Sequence, residues 1–325
     1  MAEAPLVARA RLIVVSTTLD IVEVGPRDGL QAEAHVLPVP VRAELIRRLA
    51  ATGVRRIEAV SFVRPDRVPQ MAGAEETLAQ ARASVGGDVS LIGLVLNERG
   101  LDRAIEAGVS EVNTVVAATD SFARSNQGRS LDELVDACIA VCHRARAAGI
   151  PVSVTVSTSF GCPYEGEVPV ADVVSIVERI AAAGPDELSL ADTIGSAVPA
   201  DVVERFSAVL PVIEENGITP RCHFHDTRNT AIANVTAAVG LGIGVIDASI
   251  AGLGGCPFAP GASGNVATED VLYLASRSGW ACEVDLRAVL DLVPWVAEQV
   301  DHRVSSSLAV AGEFPQTSGG PSVGG

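Results

Sequence analysis

Eight short apolar or alternating runs, each followed by a stretch with helical spacing, set the tightest limit on what this chain can fold into. They are IVEVG (21–25), RIEAVSF (56–62), VSLIGLV (89–95), EVNTVVA (111–117), VSVTVST (152–158), ELSLAD (187–192), RCHFHD (221–226) and VIDASIA (245–251). Their length and their wealth of β-branched residues mark them as strands. The gaps hold helical patterns such as LDELVDACIAVCHRARAAG and VADVVSIVERIAAAG, with glycine where a helix would end. Eight such units in about 250 residues favour a closed parallel TIM (β/α)8 barrel over an open doubly wound sheet. A single catalytic domain is therefore expected over 19–305, after an N-terminal segment 1–18. Extra C-terminal helices near 267–277 and 286–301 would cover the barrel, and the tail 306–325, ending TSGGPSVGG, has the composition of a disordered stretch.

Composition narrows the function. A chain 48% hydrophobic but only 3% aromatic suits a core filled by alanine and valine. Its formal charge is 24 minus 40, or −16, with no basic run, which argues against nucleic acid and against an anionic membrane surface. All 24 basic residues are arginine. Without lysine there is no ε-amine for Schiff-base aldol chemistry, pyridoxal phosphate or a phosphate loop, so carbon–carbon chemistry here needs another activator. The six cysteines lack the dense spacing of a secreted disulfide scaffold, and the apolar run LIVVS (12–16) is too short for a membrane span or a signal peptide. A reducing cytoplasm is the expected home. Cys138 and Cys142 read as small buried hydrophobes, and Cys162 as packing.

In a parallel barrel, chemistry collects where strands run out into their loops. Polar residues out of place in apolar strands are Glu58, Asp192, His223 and His225, with Arg27 and Asp28 just past the first strand. His223 and His225 are two apart on a strand, so their rings share one side while Cys222 and Phe224 take the other. Two imidazoles, the Asp28 carboxylate and the Asn265 amide oxygen make a nitrogen and oxygen donor set without thiolate. Such a set suits Mg²⁺ or Mn²⁺ with open positions better than a closed zinc site.

The motifs EVGPRDGLQ (23–31), IEAVSFVRPDRVPQM (57–71), GCPYEG (161–166), LADTIG (190–195), HFHDT (223–227) and GLGGCPFAPGASGNVATED (252–270) resemble the hydroxymethylglutaryl-CoA lyase family. The match runs in order from about residue 20 to 305, and the last motif is the most specific. The resemblance implies a divalent-metal-dependent barrel enzyme, acting as a homodimer, that cleaves a 3-hydroxyacyl-CoA by a retro-Claisen route. Asp28, His223, His225 and Asn265 would hold the metal, with His223 also counted as catalytic. Arg27 would stabilise the enolate, and Cys256, on a glycine-rich loop, would be the acid that protonates it or part of the relay that does so. Glu58 and Asp192 would be supporting carboxylates. Glu269 would anchor the loop end and, with Arg27, face the substrate.

One departure concerns specificity. Where the family continues HxHDT with an aromatic residue and glycine, this chain has Arg228 and Asn229, and a cation there could meet an extra substrate carboxylate or the CoA phosphates. Citramalyl-CoA is the alternative substrate that follows. An isopropylmalate-type synthase is a further alternative, disfavoured because the chain ends soon after the barrel, and an inactive CoA-binding scaffold is disfavoured by the complete constellation. With no lysine present, loop arginines such as Arg64, Arg99 or Arg124 would bind the CoA phosphates.

Overall fold

The computed structural model describes residues 18–255 and 264–314. Eight strands pair in parallel in chain order and β8 closes onto β1, giving the expected barrel. They are β1 (Asp20–Glu23), β2 (Arg56–Ser61), β3 (Ser90–Val95), β4 (Glu111–Ala117), β5 (Val152–Ser157), β6 (Glu187–Asp192), β7 (Thr219–Phe224) and β8 (Val245–Ala248). Every predicted run overlaps one of them, with β1 and β7 beginning one and two residues before their runs. The first and last are shorter than their apolar runs, because the chain turns at Gly25 after β1 and Ala251 enters the left-handed region (φ 62°) after β8.

Helices α1 (Val39–Ala51), α2 (Ala74–Arg82), α3 (Glu98–Ala107), α4 (Asp120–Gln127), α5 (Leu131–Ala147), α6 (Val170–Ala181), α7 (Pro199–Glu215) and α8 (Ala231–Gly240) surround the sheet. Their starts follow local chemistry; α5, for instance, opens on a capping box in which Ser130 and Glu133 exchange hydrogen bonds. The C-terminal cover is α9 (Thr268–Ser278) and α10 (Leu286–Val300). A further helix, α11 (Ser307–Ala311), lies inside the stretch predicted to be disordered. Composition misses it because its anchor is distant: the Asp270 carboxylate on α9 accepts from the Ser307 and Leu308 amides at 3.1 and 2.8 Å. Among the described residues no helix is long and apolar enough to cross a membrane.

The two-residue alternation of the strands sorts the core into two parts. Outward, Cys222 and Phe224 of β7 are buried beneath the helices, with the Phe224 ring 5.8 Å from that of Phe160. Cys138 and Cys142 are likewise buried on α5. Inward, the lower lumen is charged. Arg56 on β2 reaches Asp20 on β1, Glu111 on β4 and Glu187 on β6 at 2.9, 2.9 and 2.8 Å, a span possible only across the barrel's interior. Buried cations persist there because each has carboxylate partners.

Candidate active site and metal centre

The mouth of the barrel begins with a turn. After β1, the Val24 carbonyl accepts from both the Asp28 and Gly29 amides (2.7 and 3.2 Å), a wide coil over Gly25–Gly29 that carries Arg27 and Asp28. Glycine is required at its start, since a Cβ on Gly25 would sit 2.6 Å from Glu23 Oε1. Arg27 is then fixed from β2: its Nε and Nη2 donate to the two oxygens of the buried Glu58 at 2.9 and 3.1 Å, and its Nη1 donates to Asp28 Oδ1 at 2.5 Å. Burial opposes the Arg27 charge, but Glu58 and Asp28 more than offset it and hold the guanidinium cationic. Burial likewise opposes the Asp28 carboxylate, and Arg27, His223 and His225 outweigh it, holding Asp28 well below the usual carboxylate range.

His223 is on β7, and His225 lies just past the strand's end, in a bridge to Asn265. Their rings are 5.1 Å apart, and their Nε2 atoms stand 4.0 and 3.8 Å from the same oxygen, Asp28 Oδ2. One donor atom from each of Asp28, His223 and His225 falls within a 4.8 Å cluster. Asn265 completes the arrangement. Its Nδ2 donates to Asp28 Oδ2 at 2.8 Å and to the Leu253 carbonyl at 3.0 Å, while its Oδ1 is buried without a hydrogen-bond partner among the described residues. A buried acceptor left bare beside a carboxylate and two imidazoles suits a divalent cation, which would satisfy all four donors. Burial and the neighbouring His223 push His225 down to about 4, so its imidazole is neutral near pH 7 and able to ligate. Close approach forces glycine at 254 as well: its φ is 106°, and a Cβ there would lie 2.4 Å from Asn265 Nδ2.

Asp192 does not enter the cavity. Its neighbours Ala191 and Thr193 line that space, whereas the Asp192 carboxylate accepts from the Ser196 and Ala197 amides at 2.8 and 2.9 Å, bracing the turn after β6. Glu269 is also buried away from it, with Oε2 accepting from the Ala251 amide at 3.1 Å, in keeping with an anchor for the loop end. The Arg228 guanidinium donates to the carbonyls of Ile194 and Gly195, both at 2.8 Å, and is not among the cavity residues. Cys256 lies outside the described residues.

Two groups escaped the sequence. Asp247 on β8 is buried with Oδ2 2.9 Å from His223 Nδ1; its signal was a lone carboxylate in the apolar run VIDASIA, in phase with the lumen. The second is Arg67, Arg103 and Arg129, which join the expected Arg64, Arg99 and Arg124 at the rim. A cavity of about 1330 Å³ runs from Asp28, His223 and His225 outward past Arg64, Arg67, Arg99, Arg103, Arg124 and Arg129. Arg64 and Arg124, two of the three expected phosphate binders, are paired with Asp66 and Asp120 at 2.5 and 2.6 Å. Arg103 is paired with Glu75 at 2.7 Å. Arg67, Arg99 and Arg129 make no ion pair among the described residues.

An eight-stranded parallel barrel with carboxylate, imidazole and amide donors at the ends of its strands, opening into a long cavity, defines a barrel enzyme with a candidate metal site. The family model HMGL-like matches residues 18–296, and the chain belongs to that family. It is 45% identical over 294 residues to hydroxymethylglutaryl-CoA lyase of Pseudomonas mevalonii, covering 90% of this chain and 93% of that one. Among solved structures, the HMG-CoA lyase of Bacillus subtilis matches with a TM-score of 0.86 and 37% identity, over 91% of this chain and 98% of the other. An HMG-CoA lyase of Acinetobacter baumannii, solved in complex with coenzyme A and 3-methylmalate, matches with a TM-score of 0.86 and 35% identity, over 94% of this chain and 98% of the other.

Proposed function

We propose that this protein is a divalent-metal-dependent lyase that cleaves 3-hydroxy-3-methylglutaryl-CoA to acetoacetate and acetyl-CoA. The observation that carries the reading is Asn265 Oδ1, buried without a hydrogen-bond partner among the described residues, beside Asp28, His223 and His225 in a cavity that also bears arginines with no ion pair among those residues. One end suits a cation that grips a hydroxyacid, and the other a polyphosphate. A volume of about 1330 Å³ exceeds what a small acid needs and suits an acyl-CoA. The neighbour that holds coenzyme A with 3-methylmalate supports the same pair of ligand types here.

Bound by Asp28, His223, His225 and Asn265, Mg²⁺ or Mn²⁺ would supply Lewis acidity toward the substrate's hydroxyl and carboxylate oxygens. The chain's own groups do the rest. As the tertiary hydroxyl gives up its proton to solvent, its oxygen forms the new ketone and the bond between C2 and C3 breaks toward the thioester, leaving its electron pair on the enolate. Arg27, held cationic and oriented by Glu58, stabilises the enolate oxygen that results. Cys256 protonates the enolate carbon, giving acetyl-CoA. Arg67, Arg99 and Arg129 bind the CoA phosphates. The homodimer follows from the family resemblance. The five described cysteines are free thiols, as a reducing compartment allows.

Citramalyl-CoA is the weaker substrate, because Arg228, which would have favoured it, is engaged by two carbonyls. Steady-state assays of the metal-loaded protein with both thioesters test the choice. A higher kcat/KM for hydroxymethylglutaryl-CoA is expected, and equal or better turnover of citramalyl-CoA overturns it.

A further inference from the structure

The two imidazoles of the metal centre are held differently, and the difference points beneath them. His223 Nδ1 is 2.9 Å from Asp247 Oδ2. The other oxygen of Asp247, Oδ1, accepts from Arg221 Nε at 2.6 Å, and Arg221 is completely buried, with Nη1 3.3 Å from Glu187. His225 Nδ1, by contrast, is buried without a hydrogen-bond partner among the described residues. A carboxylate whose one oxygen is taken by a guanidinium can only accept on the other. That places the proton of His223 on Nδ1 and leaves the lone pair on Nε2, the atom that faces Asp28.

We infer that Asp247, held by Arg221, is a positioning residue that fixes the tautomer and ring plane of His223 and thereby sets the affinity of the site for its cation. The inference rests on the metal-site reading above. Its chemistry can be inverted by one isosteric change. In Asp247→Asn, Arg221 offers only donors, so the amide oxygen must face Nε of Arg221 and the amide NH₂ must face His223. Nδ1 then has to accept, the ring proton moves to Nε2, and the lone pair is lost to the cation. No corresponding change reaches His225, which makes no hydrogen bond to Asp247 among the described residues.

The test reads tautomer and metal binding, not turnover. ¹⁵N-histidine-labelled, metal-free protein is studied by long-range ¹H–¹⁵N correlation at a pH where the imidazoles are neutral, and Mn²⁺ affinity is measured by electron paramagnetic resonance. The wild type is expected to show His223 with the proton on Nδ1. Asp247→Asn is expected to move it to Nε2, leave the His225 signals in place, and weaken Mn²⁺ binding by about 10–100-fold, the range for partners of metal-ligating histidines. An unchanged tautomer with unchanged Mn²⁺ affinity overturns the inference. So does a wild-type His223 protonated on Nε2, a result that needs no folded variant. If the wild type binds no Mn²⁺, the metal-site reading fails, while the tautomer measurement still judges Asp247 separately.

Discussion

Arg27 and Glu58 form a two-point pair inside the barrel, Nε to Oε1 at 2.9 Å and Nη2 to Oε2 at 3.1 Å, which leaves the guanidinium a fixed plane at the cavity's inner end. A planar fork is what lysine cannot supply. Arg27→Lys is therefore expected to lower kcat by about 10²–10³-fold, the scale for losing a donor to a developing oxyanion, with a smaller change in KM. Steady-state kinetics check this, and an unchanged kcat would remove Arg27 from the enolate.

Asp28 faces both histidines and Asn265, so its charge is central to holding a cation. Asp28→Asn should weaken Mn²⁺ binding and activity together, with partial recovery at raised Mn²⁺. Chelation of the wild type should abolish turnover and added Mg²⁺ or Mn²⁺ should restore it. Full activity after exhaustive chelation would falsify the metal scheme.

Cys256→Ser should reduce turnover by orders of magnitude while leaving Mn²⁺ affinity unchanged, because a hydroxyl is a far poorer acid than a thiol. Metal titration beside turnover separates the two effects, and near-normal turnover would reduce Cys256 to a loop residue.

Much of this site was legible because strand alternation is a short-range rule. His223 and His225, two apart, were bound to share a side, and Asp28 and Asn265 flank glycines that can only be turns or loops. The same rule carries the fold, whose eight runs became eight strands. Asp192 shows where it fails: a one-residue phase separates it from Ala191, and only the paired register of β6 decides which faces the cavity. Asp247 hid for the opposite reason, since its partners Arg221 and His223 lie 26 and 24 residues away. The arginines divide similarly. The pairings of Arg64 with Asp66 and Arg124 with Asp120 are local and could have been read from spacing, but the shared rim of Arg67, Arg99 and Arg129 is a product of the closed barrel.

Those three arginines yield a binding prediction. Replacing Arg67, Arg99 or Arg129 by alanine should raise KM for the acyl-CoA by about tenfold where a charged hydrogen bond to phosphate is lost, with kcat nearly constant. The wild-type KM should also rise with ionic strength. A KM that ignores all three changes would move the phosphates elsewhere.

Burial, with their mutual or neighbouring negative charge, pushes Glu23 and Glu269 each up to about 7 despite hydrogen bonds that oppose it. Their unfolded values are near 4.5, so between pH 4.5 and 7 the native state binds more protons than the unfolded state, and their contribution to stability is lost as pH rises through 7. Thermal unfolding across this range should show a slope that flattens in Glu269→Gln. The same slope in wild type and variant would assign the pH dependence to other groups.

The most direct test of the account is product analysis on metal-stripped protein with hydroxymethylglutaryl-CoA, before and after Mg²⁺ or Mn²⁺ is added. Acetoacetate and acetyl-CoA should appear in equal amounts only once metal is present. Failure of the metal-loaded protein to release either product, or their release at the same rate without metal, would contradict it.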